Sequence, residues 1–435
     1  MKHADCFREF AAYACFNVLG MLGLSCYILA DTYFIANGLG EDGLTALNLA
    51  IPVYSFIHGC GLMAGIGAGT RYSILKSLCS HAQADRVFTT ACCIAASLAC
   101  VFVCAGLFFT DGIAAALGAD ASVFAMTKTY IRMILLFSPA FLLNNLLLCF
   151  VRNDGAPQLS MRAMLGGSLS NVVLDYLFIF PLHMGIFGAV LATCLAPVIS
   201  LSLLMVHFLK KRNTFHFCVC RPDAARTASI LASGIPSLVT EVSSGIVMIA
   251  FNAMILKLRG NTGVAAYGVI ANLSLVVIAI YNGIAQGIQP VFSRHYGAGE
   301  QTLVRAVLRY ALVTMLFLSV MLYAGTYFGA PQIVALFNKE HSGQLAKIAE
   351  EGLKLYFTAC PFVGYNLILS AYFTSVARPL PANLISLLRG FVLILPLAFL
   401  FSNLFQMTGI WCAFPVTELL VAVAGGIFYL CKNKS

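Results

Sequence analysis

Long apolar runs alternate with short polar breaks along the whole chain. Runs of ~20 or more apolar residues recur, and a run of that length spans the hydrocarbon of a bilayer as a helix. Twelve are counted, near 8–36, 44–73, 87–109, 122–151, 160–181 and 185–209, then 227–256, 264–293, 303–329, 348–376, 380–402 and 407–431. The breaks carry loop chemistry, as in Gly38 to Gly43, Asp154-Gly-Ala-Pro157, Arg221-Pro-Asp223 and Gly297-Ala-Gly299. The ~10-residue alternation of a membrane barrel is not seen. The fold class expected is all-α and integral to the membrane.

The longest polar stretch lies mid-chain, at 210–228, which suggests two halves of six spans. The expected division is an N-lobe at 1–209, a cytosolic linker at 210–226 and a C-lobe at 227–435. Landmarks recur at a near-constant shift: Ala46 and Ala266, Gly67 and Gly287 (220 each), Gly188 and Gly409 (221), Pro157 and Pro379 (222). Internal repeats of this kind are common in transporters. Six is even, so the halves share one orientation and the twelve helices form two pseudo-symmetric lobes.

Composition agrees and adds little. Sixty per cent of the 435 residues are hydrophobic and 10% are charged, against about 25% charged in soluble domains. The net charge of +9 is explained by location. With the N-terminus inside, 18 Lys and Arg fall on the inner side and 6 on the outer, so both termini are expected in the cytosol. Nucleic acid is not an expected partner; the lipid bilayer is. The 16 cysteines read as small buried apolar residues, without a disulfide framework or zinc spacing. The first apolar run, from Phe10 to Ala36, is longer than a signal-peptide core and reads as the first span.

Ionisable groups within spans are costly and functional by default. Asp31 and Asp175 each lie roughly six residues from the outer end of their helix, about 9 Å deep, so spans 1 and 5 can bring them together. Tyr27 and Asn171 sit one turn before them on the same faces. Tyr130 of span 4 and Thr193 of span 6 reach a similar depth. Two carboxylates close together in a low dielectric cannot both stay charged, so one can take up and release a proton. With Asn171, Thr193 and a carbonyl they would instead supply oxygen ligands for Na⁺. The structural alternative is that the two acids cap or cross-link helices.

The second half differs. Glu241 on span 7, Arg389 on span 11 and Glu418 on span 12 lie near mid-membrane, as a salt bridge or as a substrate and proton site. Asn282, Gln286 and Gln289 form a stripe on span 8, lining a cavity or bonding between helices. Gly61, Gly65 and Gly69 read as helix packing, and His58 first as a hydrogen-bonded core residue. No Walker lysine, nucleophile elbow or His/Cys metal spacing appears. The chain is therefore not expected to be an enzyme, and no cofactor is expected beyond H⁺ or Na⁺ as a coupling ion.

Several of these segments together resemble the multidrug and toxic compound extrusion (MATE) family, in its bacterial form, over nearly the whole chain. They are Asp31-Thr-Tyr-Phe-Ile with Leu44-Thr-Ala-Leu-Asn, Arg152-Asn-Asp-Gly-Ala-Pro157 with Asn171-Val-Val-Leu-Asp175-Tyr-Leu-Phe-Ile, and Gly287-Ile-Gln-Pro290 with Tyr296-Gly-Ala-Gly299. The resemblance implies two six-helix lobes around a central cavity in the bacterial cytoplasmic membrane. It implies drug/cation antiport; the substrates expected are amphipathic and often cationic small molecules, and the chain is expected to act as a monomer. Asp31, Asn171, Asp175 and Thr193 would form the N-lobe cation site, with Tyr27 and Tyr130 beside it, and Glu241 would be a C-lobe cation or substrate residue. Two positions depart from the pattern. Phe16 stands where many members have a proline that bends span 1, and Tyr176 follows Asp175 where proline is frequent. The rival reading is a lipid-linked precursor flippase of the same wider superfamily, which would line its cavity with more basic residues; two Glu against one Arg near mid-membrane favour export.

Overall fold

The computed structural model describes residues 2–221, 223–337 and 343–432. Pro222 of the linker lies outside the described residues, as do Lys339 and Lys434 from the Lys/Arg reading. The chain folds as helices of bilayer length, with no strand among the described residues. Six make the N-lobe: α1 (2–39), α2 (41–77), α3 (His81–Phe108), α4 (124–153), α5 (Pro157–Ile179) and α6 (Gly185–Leu209). Six make the C-lobe: α7 (224–259), α8 (261–297), α9 (Gln301–Phe328), α10 (343–375), α11 (379–405) and α12 (407–432). The 28 residues of α3 extend about 42 Å, more than the ~30 Å hydrocarbon core.

Several expected loops are almost absent. Helices α1 and α2 meet at a single non-helical residue, Gly40 (φ 69°, ψ −157°), and α7 and α8 meet at Gly260 (φ 63°, ψ −155°). Glycine adopts positive φ without steric cost, so one residue turns the chain. These two lie 220 positions apart and have nearly the same dihedrals. The repeat continues in the backbone. Helix α4 bends by 49° at Phe137, and α10 passes through a 3₁₀ turn at Phe357–Ala359. Short helices at Thr110–Ala116 and Ala330–Phe337 precede them. The second half departs from the first at its end: α11 contains a π-turn at Leu388–Val392 and meets α12 at the single residue Gln406, where residues 180–184 separate α5 from α6.

Helices pack closely where glycine permits. Within the N-lobe, α1 meets α5 with Gly20 against Met164 and Gly23 against Leu165. Between lobes, Gly67 of α2 abuts the Ile230 carbonyl of α7, and Gly234 of α7 abuts the Met63 backbone. Gly283 and Gly287 of α8 lie against Val18 and Tyr13 of α1. These contacts all fall in the half of the molecule that carries both chain ends. There, Asn17 donates to the Gly283 carbonyl at 2.8 Å, Gln289 to Thr70 at 2.9 Å and Asn153 to Gln289 at 3.2 Å. Glu9 and Arg294 form an ion pair. Residues 61–70 of α2 are buried throughout.

Toward the other end the lobes part. Gly245 of α7 and Gly268 of α8 face open space. Ile246, Met248 and Ile249 of α7 are exposed. The molecule is thus closed by a seam at the end bearing the termini and opens as a cleft at the other.

All sixteen cysteines are free. Only five are buried and seven are exposed, which corrects the expectation of burial. A thiol behaves as a small hydrophobe, so in a bilayer it needs no protein cover.

Candidate functional site

Helix α1 carries Tyr27 and Asp31 one turn apart. Helix α5 carries Asn171 and Asp175 in the same way. Because α1 and α5 pack side by side, the two carboxyls come within hydrogen-bonding reach of each other. Both are buried, Asp175 completely. Two carboxyls that close in a buried site raise each other's affinity for a proton. Each keeps one oxygen, Oδ1, that no protein group bonds. Asn171, with its amide turned to satisfy both neighbours, donates to Asp175 Oδ2 at 3.0 Å and accepts from the Thr193 N–H at 3.2 Å. Tyr130 reaches Thr193. Tyr27 bonds outward to Tyr54 of α2, hydroxyl to hydroxyl at 2.9 Å. The six polar residues expected together are together, and no basic side chain is among them.

The C-lobe residues do not form one set. Glu418 is buried (1% exposed) and fully engaged: Arg389 donates through Nε at 3.0 Å and Nη2 at 2.8 Å to one oxygen, and Asn366 donates at 2.7 Å to the other. The π-turn aims Arg389 at this partner; such turns insert a residue into the helix and rotate the next face. Arg389 and Glu418 therefore lock α11 to α12 inside the lobe and lie off the cleft. Glu241 stands apart from them. It lines the cleft floor with Asn282 and Gln286 of α8, and Leu238 and Glu241 pack against Gly59 of α2. The span 8 stripe divides likewise: Gln289 is buried and bonds Thr70, Asn153 and Ser293 at the seam, so it closes the lobes together as well as facing the cleft.

Three residues of the region were not foreseen. Tyr54 is the partner of Tyr27. Asn145 holds His58 through its ring Nδ1 at 3.1 Å. Arg152 is buried and bonds Asn17 at 2.6 Å. Asn144-Asn145 in an apolar span was a visible signal for the second; a polar pair there needs partners.

The MatE family profile matches residues 18–177 and 236–400, most of both lobes. The chain belongs to the MATE family. It is a multi-pass membrane transporter and not an enzyme. It is 25% identical to the multidrug export protein MepA of Staphylococcus aureus strain MRSA252 over 422 residues, covering 96% of this chain and 92% of that one. MepA of Staphylococcus saprophyticus is 24% identical over 420 residues, with the same coverage. Among solved structures, a multidrug resistance MATE family transporter of the MOP superfamily in its outward-facing conformation superposes with a TM-score of 0.91, at 22% identity and over 98% of this chain and 95% of that one. The Vibrio cholerae MATE transporter VcmN gives 0.91 at 19% identity, over 99% and 98%. Those likenesses carry the fold.

Proposed function

We propose that this MATE transporter exports amphipathic, often cationic small molecules across the bacterial cytoplasmic membrane in exchange for protons taken up at Asp31 and Asp175. The observation that carries the reading is the buried contact between the two carboxyls, which a shared proton would stabilise and beside which no cationic side chain lies among the described residues. The relatives named above are multidrug exporters, which agrees with the substrate class. The seam and cleft fit an outward-open state with both termini cytosolic. In that state a proton arriving from outside reaches Asp31 and Asp175, substrate leaves the cleft, and the lobes rock. Residues 1–209 and 227–435 would move as units about the 210–226 linker. Glu241 is the one acid on the cleft floor among the described residues and would meet the positive group of a substrate, with Asn282 and Gln286 beside it.

Transport of a fluorescent cation in proteoliposomes tests the assignment. Asp31→Asn and Asp175→Asn should each abolish ΔpH-driven exchange while the protein still inserts and binds substrate; unchanged exchange refutes the reading. Glu241→Gln should weaken binding of the cation roughly tenfold, the ~1.4 kcal/mol of one screened ionic contact. Na⁺ held by Asp31, Asn171, Asp175 and Thr193 is the competing outcome. A lipid-linked precursor carries a pyrophosphate, and an acid and amides on the cleft floor do not suit one.

A further inference from the structure

Helices α2 and α7 face each other across the cleft, and their contacts at its closed end keep one register. Gly67 lies against Ile230 and Gly234, Met63 against Gly234, and Gly59 against Leu238 and Glu241. At each contact the two residue numbers add to between 297 and 301, as antiparallel helices require. The register survives Pro236, which lies within the contact. Beyond Gly59 toward Glu41, and beyond Glu241 toward Arg259, each helix continues for 18 positions with no non-helical residue. At ~1.5 Å per residue both stretches rise about 27 Å. The two walls of the open cleft are therefore equally long. One is tipped by Glu41 and Asp42, the other by Arg259.

The faces agree as well as the lengths. Each residue turns a helix by about 100°. On α2, Glu41 falls about 40° and Asp42 about 60° from Met63, the centre of the contact face. On α7, Arg259 falls about 20° from Gly234, whereas Lys257 points about 140° away. Glu41, Asp42 and Arg259 are all exposed, and none is in an ion pair among the described residues. Continued to the tips, the register sets Arg259 opposite both Glu41 and Asp42, whose numbers add with it to 300 and 301. The closed end already holds a pair of this kind. There Glu9 of α1 meets Arg294 of α8, and α1 and α8 are the repeat partners of α7 and α2 at the 220-residue shift.

We propose that Glu41 and Asp42 of α2 and Arg259 of α7 are the latch of the cleft's open end, apart in this structure and brought together when the lobes rock and that end shuts. The proposal rests on the rocking of the lobes in the export reading above, and not on the coupling ion. Glu9 and Arg294 part in the same motion, so one charged contact replaces another as the lobes alternate. Exposed ion pairs are weak and screened by salt, so the latch favours closure without making it permanent. The same charges also suit the helix ends, since acids favour the first turn of α2 and a cation the last turn of α7. Charge reversal separates the two roles. Exchanging the signs of both tips rebuilds a latch but sets every charge against its helix dipole.

Arg259→Lys keeps the charge and supplies an amine that a carbodiimide couples to a carboxylate in direct contact. In proteoliposomes without substrate or gradient, peptide mapping by mass spectrometry should find position 259 joined to Glu41 or Asp42. If both acids react with the reagent and no such bond forms, while exchange proceeds at the wild-type rate, the latch is overturned and the export reading stands. Coupling of Lys257 in its place overturns the assignment to Arg259. Arg259→Glu in the otherwise native chain should slow exchange of the fluorescent cation roughly tenfold in low salt. The deficit should vanish at about 1 M salt, where the Debye length is ~3 Å. Adding Glu41→Lys and Asp42→Lys to Arg259→Glu should restore the rate. A further loss assigns the charges to the helix ends and overturns the latch, as does a wild-type rate in Arg259→Glu alone. If Asp31→Asn leaves exchange unchanged, the coupling reading fails and the bond between the tips still stands.

Discussion

Asp154 lies in the turn between α4 and α5, outside the membrane spans, and its carboxylate is wholly enclosed. Burial alone would raise its proton affinity, but hydrogen bonds from His207, Lys76, Thr214 and Tyr72 outweigh it and hold the carboxyl below the usual range. Lys76 approaches to 2.6 Å, Tyr72 to 2.7 Å, and His207 and the Thr214 N–H to 2.9 Å. Thr214 belongs to the linker, so one side chain ties the linker to the lobe. Phe215 follows, buried against Phe88, Phe150 and Tyr72. Asp154→Asn keeps the volume and removes the charge. Lys76 is 30% exposed and turns to water, so its share is discounted. Thr214 gives this carboxylate both its N–H and its hydroxyl, and losing a charged acceptor costs each bond about 1.5 kcal/mol. The total of ~3 kcal/mol matches the 3–5 kcal/mol for breaking a buried pair. It corresponds to a ~100-fold rise in opening of the linker, at 1.4 kcal/mol per decade. Trypsin cleavage at Lys210, Lys211 and Arg212 reads that opening. The pH arm has a definite sign. A carboxyl held low in the folded state contributes its full stability above the ordinary carboxylate range, and loses it as pH falls through the folded value. Wild-type linker should stay protected in mildly acidic buffer and open only well below it. Cleavage of Asp154→Asn at the wild-type rate would falsify the reasoning.

Two further substitutions probe the C-lobe and the seam. Arg389→Met strands Glu418 without its cation and should destabilise the detergent-solubilised protein by about 3–5 kcal/mol, whereas Arg389→Met with Glu418→Met should be near neutral. Thermal unfolding of the single and double variants decides it, and equal losses in both would show that the pair is not what matters. Gly234→Ala places a methyl on the Met63 backbone; no soft side chain can yield there, so the seam cannot close. The variant should favour the alternative lobe arrangement, seen as increased labelling from the cytosolic side of a cysteine placed at Ala14, and unchanged labelling would count against the seam.

The twelve spans and their pairing into lobes were legible because hydrophobic length and a 220-residue shift are local, countable signals. The Asp31–Asp175 site was legible for a related reason. Helical rise fixes depth, and Tyr27 and Asn171 fix the face, so two helices that touch must bring the acids together. The C-lobe set was not. Glu241, Arg389 and Glu418 share a depth, but depth says nothing of rotation about the helix axis. The π-turn turns Arg389 inward to Glu418 without any sequence mark. The break at Gly40 is a single residue where five polar and small positions suggested a loop. Asp154 was hidden for another reason. It sits in a turn whose Gly and Pro explain themselves as turn chemistry, while its partners come from positions 72, 76, 207 and 214, which only the folded lobe assembles.

The most direct measurement drives the same fluorescent cation through wild-type protein with one gradient at a time. Exchange under ΔpH with Na⁺ equal on both sides, and none under ΔNa⁺ at equal pH, is the result predicted by a proton shared between Asp31 and Asp175. Exchange driven by ΔNa⁺ alone would contradict it.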